Sequence, residues 1–426
     1  MKLNVLREFR GAYELVGFLE GEPGSTSFSY DADYLGHGDS ISPSLPLQEV
    51  PFDAARTRCF FEGLAPEGSL RRDIEDVRRV ARVDYLGVLD AVRDEPVGAL
   101  LFSGGDAPAM ERGYDQLDFE RVQRLAEAPA QIALDLTLSS RISLAGAQSK
   151  VGLYHDGEAI DAGWFLPRGT APSTHILKAC SPSFPGETIC EALCMRAAAK
   201  FDLPAERCRL IAVPGHEPIL VAERYDRAMS EAGAEMLDGL AVPLRLHQVD
   251  MCQASGSISS ALKYEPTGVN YLSSMADVLY RFSTDQLADR ATLGYYQLFD
   301  YTVGNCDNHL KNWSLLWGAD WKSIVLAPLY DVVDTTIYPQ LVREMGVSFG
   351  GSRVIDDVDR SMVEERLATC GIPPFMRTSI IEDTVREVPA ALADAADELM
   401  AEGFPQATEM LERMMPGVEE RLARLR

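Results

Sequence analysis

The stretch Gly304-Asn305-Cys306-Asp307-Asn308-His309-Leu310-Lys311-Asn312-Trp313 restricts this chain more than any other. Upstream of it Leu293, Tyr296, Phe299 and Val303 recur at helical spacing, and Gly304 then offers a helix stop. Downstream, residues 313–317 and 322–327 read as two strands joined by Gly318-Ala319-Asp320, a hairpin that returns the chain to Tyr330-Asp331. The expected result is a polar loop between a helix and a hairpin, with Asp307, Asn312 and Asp331 brought close. That set suits phosphoryl transfer, which asks a protein to place two oxygens in line and neutralise charge with a divalent ion. Asp307 would accept or orient the proton of an attacking hydroxyl. Asn312 and Asp331 would offer hard oxygen ligands to Mg2+. Taken alone, the spacing fits a helix end and a solvated surface hairpin equally well, so the rest of the chain must decide.

A chain of 426 residues is expected to divide into two or three domains. No run is long and apolar enough to span a bilayer. The start, Met1-Lys2-Leu3-Asn4-Val5-Leu6-Arg7-Glu8, is interrupted by charge where a signal peptide has its apolar centre, so a cytoplasmic location is the expectation. A formal net charge of −25 argues against direct contact with nucleic acid or an anionic membrane, because phosphate would be repelled. Of the eight cysteines only Cys190 and Cys194 lie close, four apart on an expected helix and without a histidine cluster. They read as packed free thiols rather than a zinc site.

Residues 1–110 read as a separate α+β unit, with early alternation, a proline-punctuated segment at 41–47, and a helix-like stretch holding Phe60, Phe61 and Leu64. A polar, helix-favouring connector spans 111–139. In the block 140–229, Ser143-Leu144-Ala145-Gly146-Ala147-Gln148-Ser149-Lys150 is a small-residue loop entering a strand. Small side chains there would let backbone amides approach phosphate oxygens, although an ordinary β-turn has the same composition. The run Thr174-His175-Ile176-Leu177-Lys178 is strand-like and ends in a lysine suited to nucleotide phosphates, and Glu191 follows on a helix as a possible partner for Lys178. A hairpin turning at Pro214-Gly215 leads into Glu223-Arg224-Tyr225-Asp226-Arg227, where an adenine could pair with backbone groups and Asp226 could lie near a ribose. Residues 230–426 are expected to be mainly helical apart from the hairpin, with His247 a satisfied buried histidine.

Small-residue loop, strand lysine, helix glutamate, linker, Asp-x-x-x-x-Asn and late aspartate is the linear order of a protein kinase. The chain departs from the common kinase pattern in having Asn305-Cys306 before Asp307 in place of His-Arg, and in lacking Phe-Gly after Asp331. It resembles the HipA family of bacterial toxin kinases over essentially its whole length. The segments that carry the resemblance are Ser44-Leu45-Pro46-Leu47, Phe60-Phe61-Glu62-Gly63-Leu64-Ala65-Pro66, Arg141-Ile142-Ser143-Leu144-Ala145-Gly146-Ala147-Gln148, Thr174-His175-Ile176-Leu177-Lys178, Glu223-Arg224-Tyr225-Asp226-Arg227, Asp250-Met251-Cys252-Gln253 and Asp307-Asn308-His309-Leu310-Lys311-Asn312.

The resemblance implies an α+β, two-lobed protein-kinase-like fold with an additional N-terminal α+β subdomain (1–110), a helical connector (111–139), a nucleotide lobe with phosphate loop and hinge (140–229) and a mainly helical C-terminal lobe (230–426). It implies a serine/threonine kinase using ATP and Mg2+. By matching position Asp307, His309 and Lys311 are the catalytic loop, and Asn312 and Asp331 the metal ligands. Ala145, Gly146, Ala147, Gln148, Ser149, Lys150, Lys178, Glu223, Arg224, Tyr225, Asp226 and Tyr330 surround the nucleotide. The implied substrate is an aminoacyl-tRNA synthetase, and the implied partner a HipB-type helix-turn-helix antitoxin, through which alone DNA would be reached. Inhibitory autophosphorylation is implied at Ser143, where a phosphate would place roughly −1.5 to −2 charge in the loop that cradles ATP. Ser149 and Asn308 stand where the family often carries glutamate and glycine. Two other readings are a catalytically quiet fold that sequesters a DNA-bound antitoxin, and a small-molecule or lipid kinase.

Overall fold

Alternation of buried and solvent-facing residues builds the first sheet. The structure, a computed structural model, describes residues 1–9, 11–94, 97–104, 111–140, 149–157, 159–229 and 233–426. Strands β1 (Lys2–Phe9), β2 (Ala12–Glu20), β3 (Ser27–Tyr30) and β4 (Leu100–Gly104) form an antiparallel sheet in the order β3-β2-β1-β4. Leu3 and Val5 point to one face, as the period of two requires. Close pairing is allowed by Gly17, since a Cβ there would lie 2.2 Å from the Ser29 carbonyl oxygen. Helices Ala54–Phe61, Gly68–Arg78 and Tyr85–Ala91 belong to this unit, and Phe60, Phe61 and Leu64 join its core. That core is continuous with the helical lobe, where Met251 and Cys252 belong to the same buried cluster.

The second sheet has six strands in the order β5-β7-β6-β8-β10-β9: β5 (Gly113–Leu117), β6 (Lys150–His155), β7 (Trp164–Arg168), β8 (His175–Lys178), β9 (Cys208–Ile211) and β10 (Ile219–Glu223). Here the expected helical connector is corrected. It opens with β5, which pairs with β7 from Gly113↔Arg168 to Leu117↔Trp164, before helices Phe119–Glu127 and Pro129–Ser140. The strand owes its existence to a partner some fifty residues away, a contact that local periodicity does not encode. Alternate residues of β10 face opposite cores: Ile219 and Val221 meet the connector helices, while Leu220 meets the large core shared with α1 (Glu187–Lys200).

In the C-terminal lobe α3 (Pro374–Ala401) and α4 (Gln406–Leu425) pack both against α1 and against α2 (Gln286–Val303). The helical stripe Ala391, Leu392, Ala395 and Leu399 is buried. The expected hairpin is present as strands Ser314–Trp317 and Ile324–Leu326, and Gln248–Asp250 adds a third strand on the other side of the first. All eight cysteines are free. His247 is buried, its Nε2 is 2.7 Å from the Ile41 carbonyl oxygen, and its ring stacks on Trp321. Among the described residues no helix is long and apolar enough to cross a membrane.

Candidate active site

The helix stop predicted at Gly304 positions the polar loop. Gly304 closes α2 in the left-handed region (φ +92°), and a Cβ there would meet Asp334 at 2.4 Å. Behind the loop lies Asp300, a buried carboxylate on α2 that accepts a hydrogen bond from Asn305 Nδ2 at 2.9 Å. The Asn305 Oδ1 in turn accepts the Asp307 N–H at 3.1 Å. Burial pushes the Asp300 carboxyl up to about 7, against hydrogen bonds from Asn305 and Asn308 that favour its charged form. Asp307 itself is exposed to the cleft. Asn312 Nδ2 donates to the Asp307 carbonyl at 2.9 Å, which orients its amide.

Asn308 does not take the left-handed backbone that its replacement of glycine suggests. It is fully buried, donates to Gln297 Oε1 and the Val347 carbonyl, both at 3.2 Å, and accepts the Val347 N–H at 3.0 Å. Asp331 does take a positive φ (+63°), a strained setting found more often at functional positions.

The strand lysine and the helix glutamate do meet. Lys178 Nζ lies 2.5 Å from Glu191 Oε1 and 2.6 Å from Asp331 Oδ1, which draws β8, α1 and the segment after the hairpin into one cluster. Burial alone would strip the Lys178 proton, but the Asp331 and Glu191 carboxylates outweigh it and hold the ammonium well above its ordinary value. Burial likewise opposes the Asp331 charge, and Lys178 and Lys150 outweigh it, holding that carboxyl well below the usual range. Lys150 is opposite Lys178 in the β6–β8 register, and burial lowers its proton affinity. Glu206, a residue with no motif to announce it, is buried beside the same cluster and pushed up to about 8 by burial.

These groups line one cleft of about 790 Å³, together with Asp307, Asn312, Tyr225 and Tyr330. Tyr225 and Tyr330 face each other with ring centroids 5.7 Å apart, and the Tyr330 hydroxyl donates to the Lys311 carbonyl at 2.8 Å. Glu223 pairs with His175 at the end of β10. Ser149 reaches the cleft and its carbonyl accepts the Ala179 N–H at 3.2 Å. Ser143, Ala145, Gly146, Ala147 and Gln148 lie outside the described residues.

Asp226, Lys311 and His309 each sit in protein contacts that spacing did not indicate. Asp226 is not available to a ribose as placed. Its carboxylate takes Arg224 Nε at 2.8 Å, Arg224 Nη2 at 2.7 Å and the Gly98 N–H at 3.2 Å, and Arg227 Nη1 lies 3.0 Å away, so its charge is spent on the two arginines inside the protein. Lys311 lines the same cleft, but its ammonium is already taken by protein groups. Its Nζ donates to the Gly63 carbonyl at 2.9 Å and pairs with Glu67 at 2.9 Å and Asp250 at 3.4 Å, tying the loop to the N-terminal unit. His309 is buried against Tyr264, with its proton affinity lowered by burial, and its Nδ1 has no hydrogen-bond partner among the described residues. Glu67, Glu206 and Tyr264 carry no spacing signal. Asp300 did leave a trace, as a carboxylate on the apolar stripe between Phe299 and Val303.

Among the described residues no three His, Cys, Asp or Glu side chains form a protein-only metal cage. Asn312 and Asp331 nevertheless present hard oxygens to the cleft. That donor set fits a magnesium ion shared with nucleotide phosphates.

A family model described as the HipA-like C-terminal domain matches residues 142–393, and one described as the HipA N-terminal domain matches residues 12–103. The Sinorhizobium fredii (strain NBRC 101917 / NGR234) protein named "Putative kinase Y4mE" is 33% identical over 393 residues, covering 89% of this chain and 90% of its own length. Y4dM of the same strain, named in the same way, is 24% identical over 389 residues, covering 86% and 85%. Among solved structures, the Shewanella oneidensis MR-1 HipA, determined with HipB and operator DNA, superposes with a TM-score of 0.76 at 21% identity over 99% of both chains. The fold is therefore the α+β kinase-like fold of that protein.

Proposed function

The chain belongs to the HipA family, and from that premise we propose that it is a serine/threonine protein kinase transferring the γ-phosphate of ATP. The observation that carries the reading is the Lys178–Glu191–Asp331 cluster in the same cleft as Asp307 and Asn312. Four separate segments supply those side chains, and each has a task in phosphoryl transfer.

Lys178 holds the nucleotide phosphates, and Glu191 holds Lys178 in place. Asp331 and Asn312 would hold Mg2+, which supplies charge neutralisation on the phosphates when bound. Asp307 takes the proton of the acceptor hydroxyl as its oxygen bonds to the γ-phosphorus and ADP departs. Tyr225 and Tyr330 provide an aromatic wall against which a base can pack, and the backbone of Glu223 to Tyr225 offers it hydrogen bonds. Lys311 and Asp300 hold the loop rigid. Their part is preorganisation, because a misplaced base loses most of its catalytic value.

The family resemblance supports a translation protein, an aminoacyl-tRNA synthetase, as the acceptor. It also supports silencing by phosphorylation at Ser143. The Shewanella relative, solved with HipB and operator DNA, supports a helix-turn-helix antitoxin as partner. The test is transfer of labelled γ-phosphate from ATP and magnesium to the protein itself and to proteins of a cell lysate, comparing wild type with Asp307→Asn. Labelled bands that vanish in the variant are expected. No transfer by dephosphorylated wild-type protein would overturn the reading.

A further inference from the structure

Tyr264 has no task in the mechanism above, yet it makes the closest contact to the proposed base. Its hydroxyl donates to Asp307 Oδ1, and its ring stands edge-on to His309 with centroids 5.1 Å apart. The side chain lines the cleft and stays 45% exposed, so it can leave without disturbing a core.

Its backbone, in contrast, is held from both sides. On one side Lys263 pairs with Glu67 at 3.0 Å, and its carbonyl accepts the Leu310 N–H at 3.1 Å. On the other, the buried Glu265 gives its N–H to the Gly346 carbonyl at 2.8 Å, and its carbonyl accepts Arg353 Nη1 at 2.6 Å. The fold thus delivers a movable hydroxyl, from a fixed backbone, to one carboxylate oxygen of the proposed base.

We infer that Tyr264 is a gate on Asp307: its phenol occupies the acceptor-hydroxyl position and yields to an acceptor that brings its own binding contacts, but not to water. The inference rests on the reading of Asp307 as the catalytic base. The phenol is a placeholder rather than a second acceptor, because burial and the Asp307 charge both disfavour loss of its proton. The reaction held back is hydrolysis. There a water oxygen bonds to the γ-phosphorus, the bond from that phosphorus to the bridging oxygen breaks, ADP leaves with the electron pair, and the water proton passes to Asp307.

The experiment measures ADP release from ATP and magnesium with water as the only acceptor, using the dephosphorylated full chain. Wild type, Tyr264→Phe, Asp307→Asn and the double variant are compared, with a melting curve of each. Tyr264→Phe should hydrolyse ATP about tenfold faster, the occupancy that one hydrogen bond to a charged group controls. Its KM for ATP should not change, since Tyr264 touches the base and not the nucleotide cluster. The double variant should lose the gain. Unchanged or slower hydrolysis by Tyr264→Phe, with Asp307→Asn inactive, overturns the gate alone. Hydrolysis by Asp307→Asn equal to wild type overturns the reading of Asp307 itself.

Discussion

Glu67→Gln isolates the tie between the N-terminal unit and the catalytic loop. Glu67 lies 2.9 Å from Lys311 and 3.0 Å from Lys263, and only 18% of its side chain is exposed. Burial alone would raise its carboxyl, but the two lysines outweigh it and hold it down to about 2, from 4.5. Each tenfold change in proton affinity is worth ~1.4 kcal/mol, so the charged form contributes roughly 3 kcal/mol to the folded state at neutral pH. A group whose folded value is depressed contributes fully above its unfolded value and loses that contribution as pH falls. The window therefore runs from about 4.5 down to about 2. Urea unfolding followed by tryptophan fluorescence is a suitable assay, because Trp313, Trp317 and Trp321 are buried in the lobe that Lys311 anchors. Glu67→Gln should be less stable by roughly 3 kcal/mol at pH 7. The gap should narrow by roughly 1 kcal/mol at pH 4, where the wild-type advantage has begun to titrate away. A difference below about 1 kcal/mol at pH 7, or one that widens on acidification, would refute the assigned ion-pair network.

Asp226→Asn leaves the buried Arg224 facing a neutral amide with its partner's negative charge gone, so it should cost about 3 kcal/mol of stability and leave ATP affinity nearly unchanged. A stable variant with weakened ATP binding, measured by calorimetry, would restore the ribose contact. Asp300→Asn should raise the melting temperature, and by more at pH 8 than at pH 5. Its carboxyl is raised from 3.8 to about 7, so the wild type loses stability as pH rises through that interval while the amide does not. Lys178→Met should abolish the thermal stabilisation that ATP and magnesium give to the wild type, since Asp331 and Glu191 would face the phosphates with no ammonium between them. Retained stabilisation would remove Lys178 from the nucleotide site.

The parts of the site legible in the sequence are those set by local chain geometry. The helix before Gly304, the hairpin after Trp313 and the strand before Lys178 follow from periodicity and from glycine, because each is decided by residues near one another along the chain. Strand β5 was not legible, nor was the pairing of Asp226 with Arg224 in preference to a ligand. The first needs β7, and the second needs a dry environment in which the nearest opposite charge wins.

The order of chemical groups along the chain is a property of sequence alone, and it was enough to indicate a phosphoryl-transfer cleft. Which of those groups stay free to act in the cleft is decided by the tertiary structure. Lys311 and Asp307 are four residues apart on one loop and line one cleft, yet one is buried and tied to the N-terminal unit by Glu67 and Gly63 while the other stays exposed beside Tyr264. The difference comes from partners some 240 and 40 residues away, and electrostatic contacts depend on distance in space, about which spacing along the chain is silent.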